Sequence, residues 1–208
     1  MAIRKIFKPL LFFITLILIS CNSGYQNENG KWTWISYDEA VGKRQDEVKK
    51  ADTETFVILE NKKYAKDKNY VFFKGRIIEF AEPSSFEIIN DNGYSKDSKN
   101  AYLDWDIIIN SDPSTFLVLD WPYSKDKNNV FCGNLPLNTT NINEFKVTKI
   151  GNGKTSTLKS HFIEKNAEYK WLDSIKINEI ITSEGEGQTK TEKFVGYKKI
   201  ISQQQSTK

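Results

Sequence analysis

Between Phe56 and Phe145 the chain alternates short apolar runs with charged or turn-forming tetrads, and the alternation repeats at intervals of about 30 residues. Three stretches show it most plainly: Tyr64 to Phe86, Tyr94 to Phe116 and Tyr123 to Phe145. Each opens Tyr-Ala/Ser-Lys-Asp and closes on a Phe. The segment Ala51 to Tyr64 matches the tail of these copies, so Phe56, Phe86, Phe116 and Phe145 form a fourfold series with one incomplete member. A fixed period of this length predicts an array of one small unit stacked on itself.

Within a unit, Phe-Val-Ile-Leu, Phe-Glu-Ile-Ile and Phe-Leu-Val-Leu are short β-branched runs between turn-formers and predict strands. Lys-Asp-Lys-Asn predicts a tight turn, because an Asp side chain bonds its own backbone and Asn tolerates the left-handed region. Val71-Phe72-Phe73, Ala101-Tyr102-Leu103 and Val130-Phe131-Cys132 follow as a second strand, closing a β-hairpin. A period of two puts Val71/Phe73, Ala101/Leu103 and Val130/Cys132 on one face and Phe72, Tyr102 and Phe131 on the other. Glu82-Pro83 and Asp112-Pro113 are helix-start signals, leading into a single helical turn that sets the closing Phe as a packing anchor.

The repeat fades after Lys149. Gly151-Asn152-Gly153 predicts a turn, and Ser174 to Thr182 with Thr189 to Ser202 predict a C-terminal hairpin capping the array. The fold expected is mainly β: repeated antiparallel β-hairpins with short helical turns, plus that C-terminal β-hairpin. Its parts are a signal over 1–20, a tether over 21–31, a repeat domain over 32–150, a β-rich extension over 151–202 and a disordered tail over 203–208.

The N-terminus changes the charge balance. MAIRKIFK is basic and LLFFITLIL is an apolar run too short to span a bilayer as a helix. Leu18-Ile19-Ser20-Cys21 resembles the lipobox of bacterial lipoproteins, which implies that Cys21 is acylated and anchors the chain to a membrane. That resemblance implies the bacterial cell envelope, with Asn22 after the Cys favouring the outer membrane, on its periplasmic or surface face. The formal charge of +3 includes Arg4, Lys5 and Lys8; without them 27 basic residues face 27 acidic ones. A chain near neutrality gives no electrostatic reason to expect nucleic acid as a partner.

Catalytic chemistry is hard to assemble. Cys132, once Cys21 is set aside, stands where other copies carry Phe73 and Leu103 and is expected as a core residue. His161 lies outside the repeat and lacks an evident triad. His161 and Cys132 cannot furnish a zinc site, and Asp67, Asp97 and Asp126 lack the further oxygens of a calcium loop. Gly153-Lys154-Thr155 ends like a phosphate loop but has Thr148 where the first glycine belongs. No cofactor or metal is expected. Asp104, Asp106, Glu184 and Glu186 are the material for a carboxylate-based hydrolase, and more simply loop charges. The candidate binding surface is the row Phe72, Tyr102, Phe131, extended by Trp105 and Trp121. Exposed, it is a platform for a sugar or a protein; covered, it is a second core layer.

Tyr64-Ala-Lys-Asp-Lys-Asn-Tyr-Val-Phe-Phe, with its partners from Tyr123 and Tyr94, and the Pro-x-x-Phe blocks Ala81 to Phe86 and Ser111 to Phe116, resemble the DKNYY family. The likeness spans roughly Ala51 to Lys149. It implies export and a repeat fold, and carries over neither an activity nor catalytic residues. The function expected is a membrane-anchored envelope lipoprotein that is not an enzyme and binds an unknown envelope or extracellular protein or glycan. An immunity or inhibitor protein against a secreted effector, and the hydrolase, are the alternatives.

Overall fold

The computed structural model describes residues 23–200; the signal segment, Cys21 and the tail 203–208 lie outside the described residues. The array begins with an antiparallel sheet of β1 (Gly24–Glu28), β2 (Lys31–Asp38) and β3 (Gly42–Glu47), in that order. This corrects the tether over 21–31. Asn29 and Gly30 both take positive φ, 53° and 80°, which suits the tight hairpin turn that an Asn-Gly pair favours. Tyr25 is buried against Trp34 and Phe56.

Three four-stranded meanders follow. Unit one is β4 (Val57–Ile58), β5 (Tyr64–Lys66), β6 (Val71–Phe73) and β7 (Arg76–Ile77). Unit two is β8 (Glu87–Ile88), β9 (Tyr94–Lys96), β10 (Ala101–Leu103) and β11 (Asp106–Ile107). Unit three is β12 (Leu117–Val118), β13 (Tyr123–Lys125), β14 (Val130–Cys132) and β15 (Leu135–Pro136). The expected hairpin is therefore the inner pair of a larger unit. The apolar run after each Phe is an outer strand, and Val57 and Leu117 stand more than half exposed. Each Pro-containing segment is a single hydrogen-bonded turn, Ser85 N–H to the Glu82 carbonyl at 3.2 Å and Thr115 N–H to the Asp112 carbonyl at 3.3 Å, and the proline-free copy does the same with Thr55 N–H to the Asp52 carbonyl at 3.3 Å. Only the last copy extends to a 3₁₀ turn, Ile142–Glu144.

A fourth unit was hidden from the sequence. β16 (Lys146–Lys149) is followed by inserted residues 150–185, which carry β17 (Thr155–Leu158), α1 (Lys159–Lys165), a 3₁₀ segment (Ala167–Ser174) and β18 (Glu179–Thr182). The meander then resumes as β19 (Glu186–Gln188), β20 (Lys193–Val195) and β21 (Lys198–Ile200), and its sheet order is β16-β19-β20-β21. The register Gly187↔Phe194 repeats Ala65↔Phe72, Ser95↔Tyr102 and Ser124↔Phe131. The residue after the third strand is left-handed in all four units: Lys74, Asp104, Gly133 and Gly196, with φ of 49°, 56°, 61° and 57°. The boundary expected at 150/151 thus cuts through a unit. The expected pairing of Ser174 to Thr182 with Thr189 to Ser202 gives way to two partnerships, because β18 pairs with β17 across the insertion.

The two faces of each third strand serve two layers. Phe72 packs with Phe56 and with Tyr25 and Trp34 of the first sheet, while Val71 and Phe73 pack with Tyr64 of their own unit and with Phe86 and Tyr102 of unit two. Leu103 and Tyr94 meet Phe131 of unit three, and Cys132 and Tyr123 meet Phe145 and Phe194 of unit four. Every interior unit is therefore apolar on both faces. The last strand of this kind, β20, buries only Phe194 and exposes Lys193 and Val195, as a terminal unit must.

Candidate functional site

The motif carboxylates are spent on the backbone. Asp67 is buried: one oxygen accepts the N–H groups of Asn69 and Tyr70 at 2.7 Å each, and the other accepts Asp52 N–H at 2.8 Å. Asp97 does the same for Lys99, Asn100 and Glu82, and Asp126 for Asn128, Asn129 and Asp112. The return contact comes from the Phe block, where the hydroxyls of Thr55, Ser85 and Thr115 accept N–H from Lys68, Ser98 and Lys127 at 3.2 Å. Lys68 and Lys127 then pair with Asp52 and Asp112 at 2.7 and 2.6 Å. These pairs hold the Asp52 carboxyl below its usual range and bring that of Asp112 down to about 2. The two sequence blocks are thus halves of one clamp that fastens the start of a unit to its central turn.

The aromatic row is a correction. Phe72, Tyr102 and Phe131 each have 0% exposure, because the preceding layer of the array covers the face of the strand that carries them. They cannot form an open platform. Tyr102 also donates its hydroxyl to Asp97 at 2.6 Å. Cys132 is equally buried, and burial pushes its thiol up to about 12. It is the core residue that its register suggested.

The four acids do not converge on a reaction site. Asp104 is paired with Lys154 at 2.9 Å, and Lys154 also donates to the Asn92 carbonyl at 2.6 Å. Asp106 accepts the amides of Asn178 and Glu179 at 3.2 Å each, and burial raises its carboxyl above the ordinary value. Glu184 is exposed, and Glu186 pairs with Lys149 at 3.3 Å. His161 is exposed beside Glu164 on α1. Gly153 takes a φ of 67° in a turn, so Gly153-Lys154-Thr155 serves structure.

The two tryptophans diverge. Trp121 donates its indole N–H to the Gly153 carbonyl at 2.8 Å and is engaged by the insertion. Trp105 lines an open cleft of about 500 Å³, walled by β3 through Arg44 and Asp46, by Lys74 and Arg76 after β6, and by Asn178 of the insertion. The Arg76 guanidinium lies 4.0 Å from the centre of the Trp105 ring, a close cation–π contact. Arg76 is half exposed and reaches Glu179 at 3.5 Å. Apart from Trp105, none of the cleft's side chains figured among the sequence candidates. Arg76 falls in a short outer strand, and its neighbours come from β3 and the insertion, which only the fold brings near.

The family comparison matches this architecture: a model of the DKNYY family covers residues 13–106 and again 94–207. The chain belongs to the DKNYY family. The second match runs through the split fourth unit, where the motif's Asp gives way to Thr189, whose hydroxyl accepts Thr191 and Glu192 N–H at 3.3 and 3.0 Å. No curated protein and no solved structure matches the chain. In this DKNYY protein the residues that name the family build the scaffold, and the cleft at Trp105 is formed by residues outside the motif.

Proposed function

We propose that this DKNYY protein is a lipid-anchored protein of the bacterial envelope that works by binding a partner and not by catalysis. The observation that carries the reading is the division of labour among charged groups. The motif carboxylates and Asp106 are saturated by backbone amides, Asp104 by Lys154, whereas Arg76 stands half exposed on Trp105 in an open cleft. An arginine held on an aromatic ring is partly desolvated and pre-oriented, as binding hot spots are.

The envelope location rests on the segment ending Leu18-Ile19-Ser20-Cys21. Among the described residues no helix is long and apolar enough to cross a membrane, and in this reading acylated Cys21 supplies the attachment. Fractionating cells that carry the chain or its Cys21→Ser variant tests the anchor. The variant should leave the membrane fraction; equal retention contradicts the reading. For the binding half, envelope extract is passed over the chain and its Arg76→Glu variant. A partner captured by the first and missed by the second is expected, and identical capture contradicts the cleft as the site.

A further inference from the structure

The insertion is threaded along one edge of the array, over the turns that join the third and fourth strands of successive units. In unit three Asn134 holds it at three points: its backbone N–H donates to the Ile181 carbonyl at 3.1 Å, its side-chain oxygen accepts Ile181 N–H at 2.9 Å, and its side-chain nitrogen donates to the Glu179 carbonyl at 2.9 Å. In unit two the Asp106 carboxylate takes the amides of Asn178 and Glu179. At unit one only Glu179 reaches the row, through Arg76. On the N-terminal side of this strand Ile175 and Ile177 pack into a core shared with Ile107, Ile109 and Leu135 of the array, and Lys176 lies over the Phe80 ring at 4.9 Å. The track continues past Asn178 without an occupant from the described residues, and its continuation is the cleft over Lys74, Gly75 and Arg76.

The chemistry of the track inverts at that point. Asp106 and Arg76 hold the same register position, opposite Leu103 and Phe73 respectively. Where unit two presents an acceptor to a strand's N–H groups, unit one presents a donor fork suited to a carboxylate or carbonyl oxygen. Arg44, Lys49 and Lys74 line the same cleft, giving four basic side chains against three acidic ones. The Trp105 indole N–H is buried and finds no acceptor among the described residues.

We propose that the cleft seats an extended peptide segment of a partner protein, laid along the track as the insertion is and placing an acidic side chain on Arg76. This rests on the binding reading above. The probe is acetyl-Glu-Val-Glu-Val-Glu-Val-amide, titrated calorimetrically into the full chain purified in detergent, with the lysine counterpart of the peptide alongside. The acidic peptide should bind at one site. Arg76→Glu should weaken it at least tenfold and Arg76→Lys less, because an ammonium lacks the planar fork; Lys146→Glu, an equal charge change on unit four, should leave it unchanged. Circular dichroism of the variants confirms that they are folded. Equal binding to Arg76→Glu, or of the lysine peptide, overturns the proposal. So does the absence of acidic-peptide binding, and if envelope capture still depends on Arg76 in that case, the binding reading stands while the extended acidic peptide falls.

Discussion

The clamp predicts a graded cost at Asp126. Its carboxylate is 4% exposed and accepts three amides at 2.7 Å, those of Asn128, Asn129 and Asp112. Hydrogen bonds to a charged group contribute about 1.5–3 kcal/mol each. Truncation lets water reach Asn128, which is exposed, and in part Asn129, so the lower end applies to those two. Asp126→Ala should thus cost about 4.5–6 kcal/mol. Asp126→Asn keeps an oxygen for the turn but points an NH₂ group at the Asp112 N–H, and should cost roughly 1–2 kcal/mol. Asp126→Thr copies what unit four does at Thr189 and should fall between them, since the turn bonds survive and the cross-link does not. Midpoints of urea unfolding, compared at a common slope, give the three values. A cost below about 1 kcal/mol for Asp126→Ala would refute the clamp as a fastening, since that is no more than one ordinary neutral hydrogen bond.

Other outcomes follow from the same packing. Phe131→Ala, at 0% exposure, should cost about 3–5 kcal/mol in the same assay, so alanine variants of the buried row would report on folding and not on a surface. Cys132 should resist alkylation by iodoacetamide in the native protein at pH 8 and react on unfolding, because the thiolate needs both access and a lower pKa. Asp112 is ordinary in the unfolded chain and lowered to about 2 in the folded one, first through Lys127; its contribution is complete above 3.8 and is lost as pH falls toward 2. Lys127→Ala should flatten the stability profile across that window, measured by unfolding at a series of acid pH values. Gly133→Ala combines a left-handed φ with a Cβ that would collide with the Ile181 carbonyl oxygen, a backbone atom. It should cost roughly 3 kcal/mol and raise amide exchange at Ile181.

Much of the scaffold was legible because its parts are local. The Asp turn, the closing Phe and the alternation along Val71-Phe72-Phe73 each depend on residues a few positions apart, and the β fold, the turn and the buried Cys132 follow from them. What sequence left open was which face of a strand water reaches. A period of two reads the same whether the second face is solvated or stacked on a neighbour, and here Phe72, Tyr102 and Phe131 each meet the preceding unit. Unit four was missed for a different reason. Its Tyr is Glu186 and its Asp is Thr189, and the inserted residues 150–185 break the spacing, so only register and the left-handed Gly196 reveal it. The first sheet carried a readable signal, Asn29-Gly30 between Tyr25 and Trp34, which its polar surroundings masked. The cleft had no local signal, since Arg44, Arg76, Trp105 and Asn178 belong to four separate segments.

The division between scaffold and site is tested by comparing two folded variants in one envelope-capture experiment, Asp126→Asn and Arg76→Glu, quantified by mass spectrometry at a temperature well below both unfolding midpoints. The proposed binding role predicts that Asp126→Asn, damaged in its clamp, retains whatever partner the unaltered chain captures, and that Arg76→Glu, with its clamp intact, loses it. Retention by Arg76→Glu together with loss in Asp126→Asn would place recognition in the repeated motif and contradict the assignment made here.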